Sequence, residues 1–366
     1  MTTLGLGQGA LRIDAAAQAR GESIADDVEG ALRLAPELAP IARGLHRGGC
    51  TTYLAALAGL GRADLTAART LEPHLDAQAI LAQAGITWAG LAPLGVDRTS
   101  TWGVFAAAAP NQHLTARETG AGSAAGWVLE GTKPWCSLAA RLSHALVTAS
   151  GPDGHGRLFA LDLRHPGVHD LETPWVPRGL RQVRTTTLTM TQVPGIPVGP
   201  QGWYLSRPGF AWGAIGVAAV WYGAATALRT TLFEASRRRA PDQIASASLG
   251  RVDVALYAAG CVLEAAGRLV DEHAVEATQE THDGEPDWAL LAARVRAVVH
   301  DAAETCLAVV GHALGPGPLT GDEVHARRVA DLSLYLRQHH AERDLARLGG
   351  LILAAQDSPA QSGPTS

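Results

Sequence analysis

The chain has 366 residues, more than one compact core usually holds, so its length predicts two or three domains that share contacts. Hydrophobic residues make up 47% and charged residues 18%, with the excess in Ala and Gly, which favours close helix packing. The formal net charge is −5, and the sequence contains no cluster of basic residues that could neutralise a row of phosphates. The composition therefore argues against nucleic acid as a partner.

The cysteines and the N-terminus bear on metal binding and location. Cys50, Cys136, Cys261 and Cys306 lie far apart and form no C-x-x-C pair, so we expect reduced thiols and no bound metal. The first ten residues are Gly-rich and uncharged, without the basic and apolar regions of a secretory signal. This pattern predicts a cytoplasmic protein.

The sequence divides into three consecutive regions with different patterns of apolar and polar residues. Residues 1–100 form a predicted helical domain, because apolar residues recur at helical spacing through most of it. Residues 101–201 contain short alternating runs separated by Gly, Pro and Asp, which predicts a small β domain. Helical spacing returns in 202–355, a predicted four-helix bundle, and the polar tail 356–366 is predicted to be disordered. The bundle helices are predicted over 218–239, 249–273, 287–314 and 323–353.

The uncharged stretch 209–228 is long enough to cross a bilayer. Gly and Ala dominate it, however, and no block of Leu, Ile or Phe fills it. We interpret it as a buried bundle helix or a subunit-interface helix, and we expect no membrane contact.

The middle region contains the string Gly131-Thr132-Lys133-Pro134-Trp135-Cys136-Ser137. Taken alone, it is compatible with a β-turn at 130–133 followed by an aromatic core residue. Between a helical region and four long helices, it resembles the acyl-CoA dehydrogenase family, flavoenzymes that normally work as homotetramers. The resemblance implies a mainly α fold with a central β domain: an N-terminal helical domain, a middle β-barrel domain and a C-terminal four-helix bundle. It also implies that Trp135 and Ser137 lie beside the isoalloxazine ring, where an indole excludes water and a hydroxyl hydrogen-bonds near N5.

Further segments match the family in the same order and imply other FAD contacts. Ala108 and Pro110 stand where the family has a Thr-Glu-Pro strand whose backbone faces the flavin. Arg238 stands where a family arginine reaches the FAD of a neighbouring subunit, with a solvated helix end as the alternative. Gly311 and His312 stand in a glycine turn near the adenine-side phosphates. Two more segments match. Gly179-Leu180-Arg181 resembles the family's Gly-Met-Arg strand, and residues 328–349 resemble the family's last helical stretch, which folds over the flavin.

The chain departs from the family at the catalytic base. Desaturation in the family needs a glutamate that removes a proton, placed either on the last stretch or on the first bundle helix. Alignment puts Arg337 at the first position and Gly213 at the second, and a guanidinium stays protonated near neutral pH. Ala211 and Ala214 replace the Asp and Arg that hold the CoA thioester, and Ala308 replaces a Gln that contacts FAD. The case for a CoA substrate is therefore weak.

Other side chains remain near the implied site. We expect Pro73 to end a helix and leave Glu72 and His74 in a loop facing the flavin, with a solvated helix end as the alternative. Arg337 and His339 lie where the family's catalytic stretch passes over the ring. Our hypothesis is that Arg337 binds an anionic substrate group while Glu72, or a histidine such as His339, accepts the proton.

These features predict an FAD-dependent oxidoreductase that transfers hydride from a substrate C–H bond to the flavin. One alternative is a flavin-dependent monooxygenase of the same fold, because relatives that activate oxygen also lack the glutamate base. Another is a non-catalytic structural subunit of a hetero-oligomer. We expect a small-molecule substrate, assembly as a homodimer or homotetramer, and an electron-transfer protein or oxygen as the acceptor.

Overall fold

The computed structural model describes residues 9–120, 126–238, 241–276 and 286–357. The predicted disordered tail lies mostly outside these ranges. The N-terminal helices are α1 Ala15–Ser23, α2 Val28–Arg43, α3 Cys50–Ala63, α4 Leu65–Gln83 and α5 Trp88–Leu91. The strands are β1 Trp102–Phe105, β2 Leu114–Thr119, β3 Gly126–Ser137, β4 His144–Ser150, β5 Gly156–Asp162, β6 Val168–Asp170 and β7 Thr185–Val198. The later helices are α6 Trp203–Ser206, α7 Pro208–Arg238, α8 Gln243–Glu276, α9 Trp288–Leu314, α10 Gly317–Gly321, α11 Glu323–Tyr335 and α12 Glu342–Asp357.

The prediction that Pro73 ends a helix is wrong. α4 begins at Leu65, after Asp64, whose side chain caps the helix by accepting a hydrogen bond from the Ala67 N–H. The helix continues through Pro73 to Gln83. Both flanks of the proline are buried, including Leu71 and Leu75. Burial of these side chains offsets the cost of about 3 kcal/mol that a proline imposes inside a helix.

The middle region forms a barrel that closes. The strand order is β1-β4-β2-β3-β7-β5, and β5 also pairs with β4, so five strands make a ring. β1 adds to β4 in parallel, and β6 adds to β7. The mainly α fold with a central β barrel is therefore confirmed.

The Gly- and Ala-rich part of α7 is a core element that packs closely on α3. A Cβ at Gly61 would lie 2.2 Å from the Val220 carbonyl oxygen, and one at Gly223 would lie 2.0 Å from the Ala58 carbonyl oxygen. Only glycine permits so close an approach of two helices. By length and composition, α7 and residues Gln243–Ala274 are apolar enough to cross a membrane, but 83% of the apolar stretch of α7 is buried inside the protein, against 28% for the second.

The C-terminal helices form a bundle whose fourth member is broken. Trp212 packs on Trp288 and Trp221 on His300, so α7 and α9 run in the same direction. The predicted continuous helix over 323–353 is wrong, because α11 ends at Tyr335 and α12 begins only at Glu342.

The predicted glycine turn at 309–315 is also mostly helical. Gly311 and His312 belong to α9, which ends at Leu314. Gly315 alone takes a left-handed conformation, with φ of +63°. The chain therefore turns after the residues that were assigned to the cofactor phosphates.

The Gly-Leu-Arg segment of the middle region docks on the bundle. The Leu180 N–H donates to Asp331 Oδ1 at 2.5 Å. A Cβ at Gly179 would lie 2.0 Å from the Ala330 carbonyl oxygen, so a glycine is required at this contact. Burial raises the pKa of Asp331 to about 6, against the hydrogen bond from Leu180. The motif thus fixes the barrel against α11.

Candidate active site

Trp135 projects from the barrel at a β-bulge. Between Lys133 and Cys136 the β3–β7 register shifts, so β3 carries one extra residue, and Trp135 takes φ of +61°. The bulge leaves Trp135 63% exposed, although most large apolar residues in the described part of the chain are buried. The alternative of a turn at 130–133 is excluded, because these residues lie within β3. An exposed aromatic face on a rigid strand is suited to stack on a planar ligand.

Ser137 connects this wall to α4. Its Oγ lies 2.9 Å from Thr185 Oγ1 on β7, and Arg69 Nη2 donates to it at 3.4 Å. Arg69 Nη1 lies 3.6 Å from Glu72 Oε2, and the Tyr335 hydroxyl donates to the same carboxylate oxygen at 3.5 Å. Residues from four elements, β3, β7, α4 and α11, therefore meet at one place.

Glu72 is a buried carboxyl that titrates near neutrality. Only 8% of the residue is exposed. Burial raises the pKa of Glu72 to about 7, against the opposing charge of Arg69, while Asp76 raises it further. A carboxyl with such a pKa exchanges its proton readily at physiological pH, which is the property expected of a general acid or base.

Asp76 lies one helical turn beyond Glu72. A Cβ at Gly213 would lie 3.0 Å from Asp76 Oδ1, so this carboxylate faces the position on α7 where the family resemblance implies a glutamate. Burial raises the pKa of Asp76, and the charge of Arg207 opposes the shift. At this place the carboxylates are therefore supplied by α4 rather than α7.

The sequence reasoning missed Arg69, Asp76 and Tyr335. A signal for the first two was present, since Arg69, Glu72 and Asp76 are spaced three and four residues apart and share one face of a helix. The predicted helix end at Pro73 concealed that spacing. Tyr335 is fully buried and comes from α11, a contact that no local pattern indicates.

Arg337 and His339 lie beside α9. Arg337 is exposed and pairs with Glu304, while its Nε donates to the Ser333 carbonyl oxygen. His339 is buried and stacks on His300 with ring centroids 4.3 Å apart. The structure thus does not bring either side chain into contact with Glu72, and their catalytic roles stay predictions.

The residues assigned to the cofactor occupy two separate places. Ala108 and Pro110 are exposed in the loop after β1, which reaches β7 through a hydrogen bond between Thr187 and Gln112. Arg238, Gly311 and His312 are exposed at the C-terminal ends of α7 and α9, which lie at the same end of the bundle. Residues Ser236 and Pro241 there line a cavity of about 340 Å³ between α7 and α8.

Arg69 offers a test of whether the site fits a ligand. Its Nη1 is buried and, beyond the ion pair with Glu72, has no hydrogen-bond partner in the described part of the chain. A buried donor without an acceptor is costly, so the site favours a molecule that carries acceptor atoms next to Ser137 and Trp135. A flavin ring edge or an anionic substrate group meets that need.

Neither a protein-family model nor a curated protein matches the sequence. Solved structures do match in three dimensions. KijD3, in complex with FMN and dTDP-3-amino-2,3,6-trideoxy-4-keto-3-methyl-D-glucose, is 21% identical, with 95% of this chain and 93% of that chain covered and a TM-score of 0.74. Butyryl-CoA dehydrogenase from Megasphaera elsdenii is 20% identical, with 92% and 98% covered and a TM-score of 0.71. The chain has the acyl-CoA dehydrogenase fold.

A third neighbour with this fold is the dibenzothiophene monooxygenase TdsC from Paenibacillus sp. A11-2. It is 18% identical, with 95% of this chain and 99% of that chain covered and a TM-score of 0.67. TdsC is also solved with FMN and indole. The acyl-CoA dehydrogenase fold therefore includes a dehydrogenase and a monooxygenase whose structures are similar to this chain to about the same degree.

Proposed function

We propose that the chain is a flavin-dependent oxidoreductase in which the flavin ring stacks on Trp135, its edge meets Ser137, and Glu72 is the general base. The observation that carries the proposal is the connection through Arg69, which donates a hydrogen bond to Ser137 and forms an ion pair with Glu72. It links an exposed aromatic wall to a carboxyl that titrates near pH 7. Both halves of an oxidation, electron acceptance and proton removal, are thereby assigned to adjacent groups.

The bound flavin would supply a two-electron acceptor for hydride. Glu72, when ionised, would take the proton released by the substrate. Tyr335 would orient that carboxylate. Nη1 of Arg69, which has no hydrogen-bond partner among the described residues, would bind an anionic or carbonyl oxygen of the substrate. The low exposure of Glu72 would exclude water from the proton transfer.

The proposed cofactor is FAD, with its adenosine half at Arg238, Gly311 and His312 of a neighbouring subunit. Exposure of these residues on a single chain is consistent with contacts made in an oligomer. Exposed apolar side chains on α8 and α12 support such assembly, namely Val254, Tyr257, Ile352 and Leu353. FMN, which lacks the adenosine half, is the alternative, and the neighbours solved with FMN support it.

A cofactor experiment tests the proposal directly. The purified protein would be reconstituted with FAD and with FMN separately, and the visible flavin spectrum and the released cofactor would be measured, together with the mass in solution. We expect one flavin per chain in an oligomer, and a W135A variant with weaker flavin binding. Absence of bound flavin after both reconstitutions would sink the proposal and favour the structural subunit.

A monooxygenase is the second candidate. Gly213 and Arg337 leave both implied base positions without a carboxylate, and TdsC is a monooxygenase with the same fold. Anaerobic mixing separates the two reactions. Bleaching of the flavin by butyryl-CoA or another C–H donor without oxygen supports the dehydrogenase. A requirement for externally reduced flavin, with ¹⁸O from ¹⁸O₂ in an oxidised indole product, supports the monooxygenase. The cytoplasmic location and an electron-transfer partner stay predictions.

A further inference from the structure

A separate cavity lies in the N-terminal helical region. It has a volume of about 470 Å³ and is bounded by α2, α4, α5 and the segment that leads into β1. None of its lining residues comes from the bundle helices α7 to α12. Its size falls within the range of roughly 300–1,000 Å³ typical of small-molecule pockets. The cavity is therefore distinct from the site at Glu72.

His74 contributes a buried donor to this cavity. Its Nδ1 accepts the Trp102 N–H at 3.2 Å, and since a backbone N–H can only donate, the ring proton must be on Nε2. The residue is only 1% exposed, and Nε2 has no hydrogen-bond partner in the described part of the chain. Burial lowers the pKa of His74 to about 4, with a smaller contribution from Arg43, so the ring is neutral at pH 7. A residue that lines the cavity thus carries a buried N–H without an acceptor.

Arg43 contributes a fixed cation to the same cavity. Its Nε and Nη2 donate to Gln78 Oε1 at 3.1 Å and 2.7 Å, and its guanidinium lies 5.6 Å from the centre of the Trp88 ring. Nη1 has no protein partner among the described residues. The guanidinium is therefore held in place with one nitrogen free to bind an oxygen.

The charges around the cavity favour an anion. Arg43 and Arg98 are cationic, and His74 is a neutral donor. The one carboxylate in the lining, Asp97, accepts from Thr99 and Ser100 within its own turn. Two donors and a net positive charge select a ligand with paired acceptor oxygens, such as a carboxylate.

The remaining lining defines the body of the ligand. Apart from Gln78, Thr87 and Ser100, the rest of the lining is apolar, including Trp88, Trp102, Leu81 and Ile86. Such surfaces favour a flat apolar group. We propose that the cavity between α2, α4 and α5 binds a small aromatic carboxylate, whose carboxylate is held by Arg43 and the Nε2–H of His74.

Calorimetric titration of the full-length protein with benzoate, phenylacetate and the neutral analogue benzamide tests this proposal. We expect both carboxylates to bind at least about tenfold more tightly than benzamide. R43M should weaken benzoate binding by about tenfold or more. H74N should weaken it by about fivefold, because the asparagine oxygen still accepts the Trp102 N–H while the Nε2 donor is lost. R33M is the matched control, since Arg33 is an exposed arginine on the same helix, with 74% of its side chain exposed, and should bind as the wild type does.

Equal affinity for benzoate and benzamide, or unchanged benzoate binding in folded R43M and H74N, would overturn the proposal. A second measurement avoids dependence on variants that fail to fold. Crystals of the wild-type protein would be soaked in 4-bromobenzoate, and the anomalous signal of bromine would be mapped. A peak inside the cavity with the carboxylate toward Arg43 supports the site. Water alone in the cavity at saturating probe, or a bromine peak only elsewhere, contradicts it.

Discussion

Helix α4 buries two titratable groups two residues apart, on opposite faces and with opposite behaviour. Glu72 meets Arg69 and Tyr335 on the bundle side, whereas His74 meets Trp102 on the side of α2 and α5. Burial disfavours the charged form of each, so it raises the pKa of the acid to about 7 and lowers that of the base to about 4. One face therefore holds a group that changes charge near neutral pH, and the other holds a neutral hydrogen-bond donor. This difference separates the proposed acid–base site from the proposed binding cavity.

The largest expected effect is the loss of turnover in E72Q. Glutamine keeps the size and polarity of Glu72 but cannot accept a proton, and general base catalysis typically contributes about 10²–10⁴-fold. We expect turnover to fall by that factor while flavin stays bound, and the wild-type rate to rise as pH increases through about 7. Steady-state kinetics against pH, with the flavin spectrum recorded for each sample, measure both effects.

Glu29 provides the matched control for this substitution. It is an exposed glutamate that pairs with Arg141, well outside the proposed site. E29Q should retain the wild-type rate and pH profile. If E72Q turned over at the wild-type rate, the assignment of Glu72 as the base would have to be abandoned.

E72Q should also change the pH dependence of stability between about pH 4.5 and pH 7. In the unfolded chain the carboxyl ionises near pH 4.5, whereas in the folded chain it keeps its proton to about pH 7. Its favourable contribution is therefore complete below pH 4.5 and is lost as pH rises through 7. Between pH 4 and pH 8, the free energy of unfolding of E72Q should gain about 3 kcal/mol relative to wild type. Urea denaturation of both proteins across this range measures the difference, and parallel curves would contradict it.

Much of the fold was predictable because its signals are local. The observed strands fall between Trp102 and Val198, inside the predicted range 101–201, because alternation and turn residues act over a few positions. The signals for helix starts are also local, since aspartates such as Asp64 and Asp287 cap the first turns of their helices. The exceptions are places where tertiary packing overrides a local rule, as at Pro73, where a buried helix tolerates a proline.

The candidate site was less predictable, because its contacts join distant parts of the chain. The Trp135 string indicated one wall, but a sequence does not indicate that Ser137 meets Arg69, 68 positions away, or that Tyr335 meets Glu72, 263 positions away. The pKa of Glu72 depends on its burial by these distant parts of the chain, so it cannot be inferred from the composition. Reading α4 as one continuous helix would have grouped Arg69 with Glu72, and this was the one signal available.

H74N should alter stability over a similar pH range but in the opposite direction. The unfolded histidine takes up a proton near pH 6.5, whereas the folded one resists protonation to about pH 4. Since its folded pKa is depressed, its contribution to stability is lost as pH falls from 6.5 toward 4. At pH 5, relative to pH 8, H74N should gain about 2 kcal/mol over wild type in the free energy of unfolding. A stability difference that grew as pH rose, rather than as pH fell, would place His74 with the acid–base face and erase the contrast with Glu72.

The smallest expected effect distinguishes the two candidate arginines. Arg69 contacts Ser137 and Glu72 from within the site, whereas Arg337 is exposed and pairs with Glu304. Exposed ion pairs contribute at most about 1 kcal/mol, so R337A should change turnover by less than about fivefold. R69M removes a buried donor and a charge that lowers the pKa of Glu72, so we expect turnover to fall about tenfold and the pH profile to move to higher pH. Turnover rates of both variants, measured at matched flavin content, show which of the two arginines acts in the site. Abolished turnover in R337A with flavin retained would instead assign the anionic substrate group to Arg337, and the catalytic face of α4 would then extend to the segment after α11.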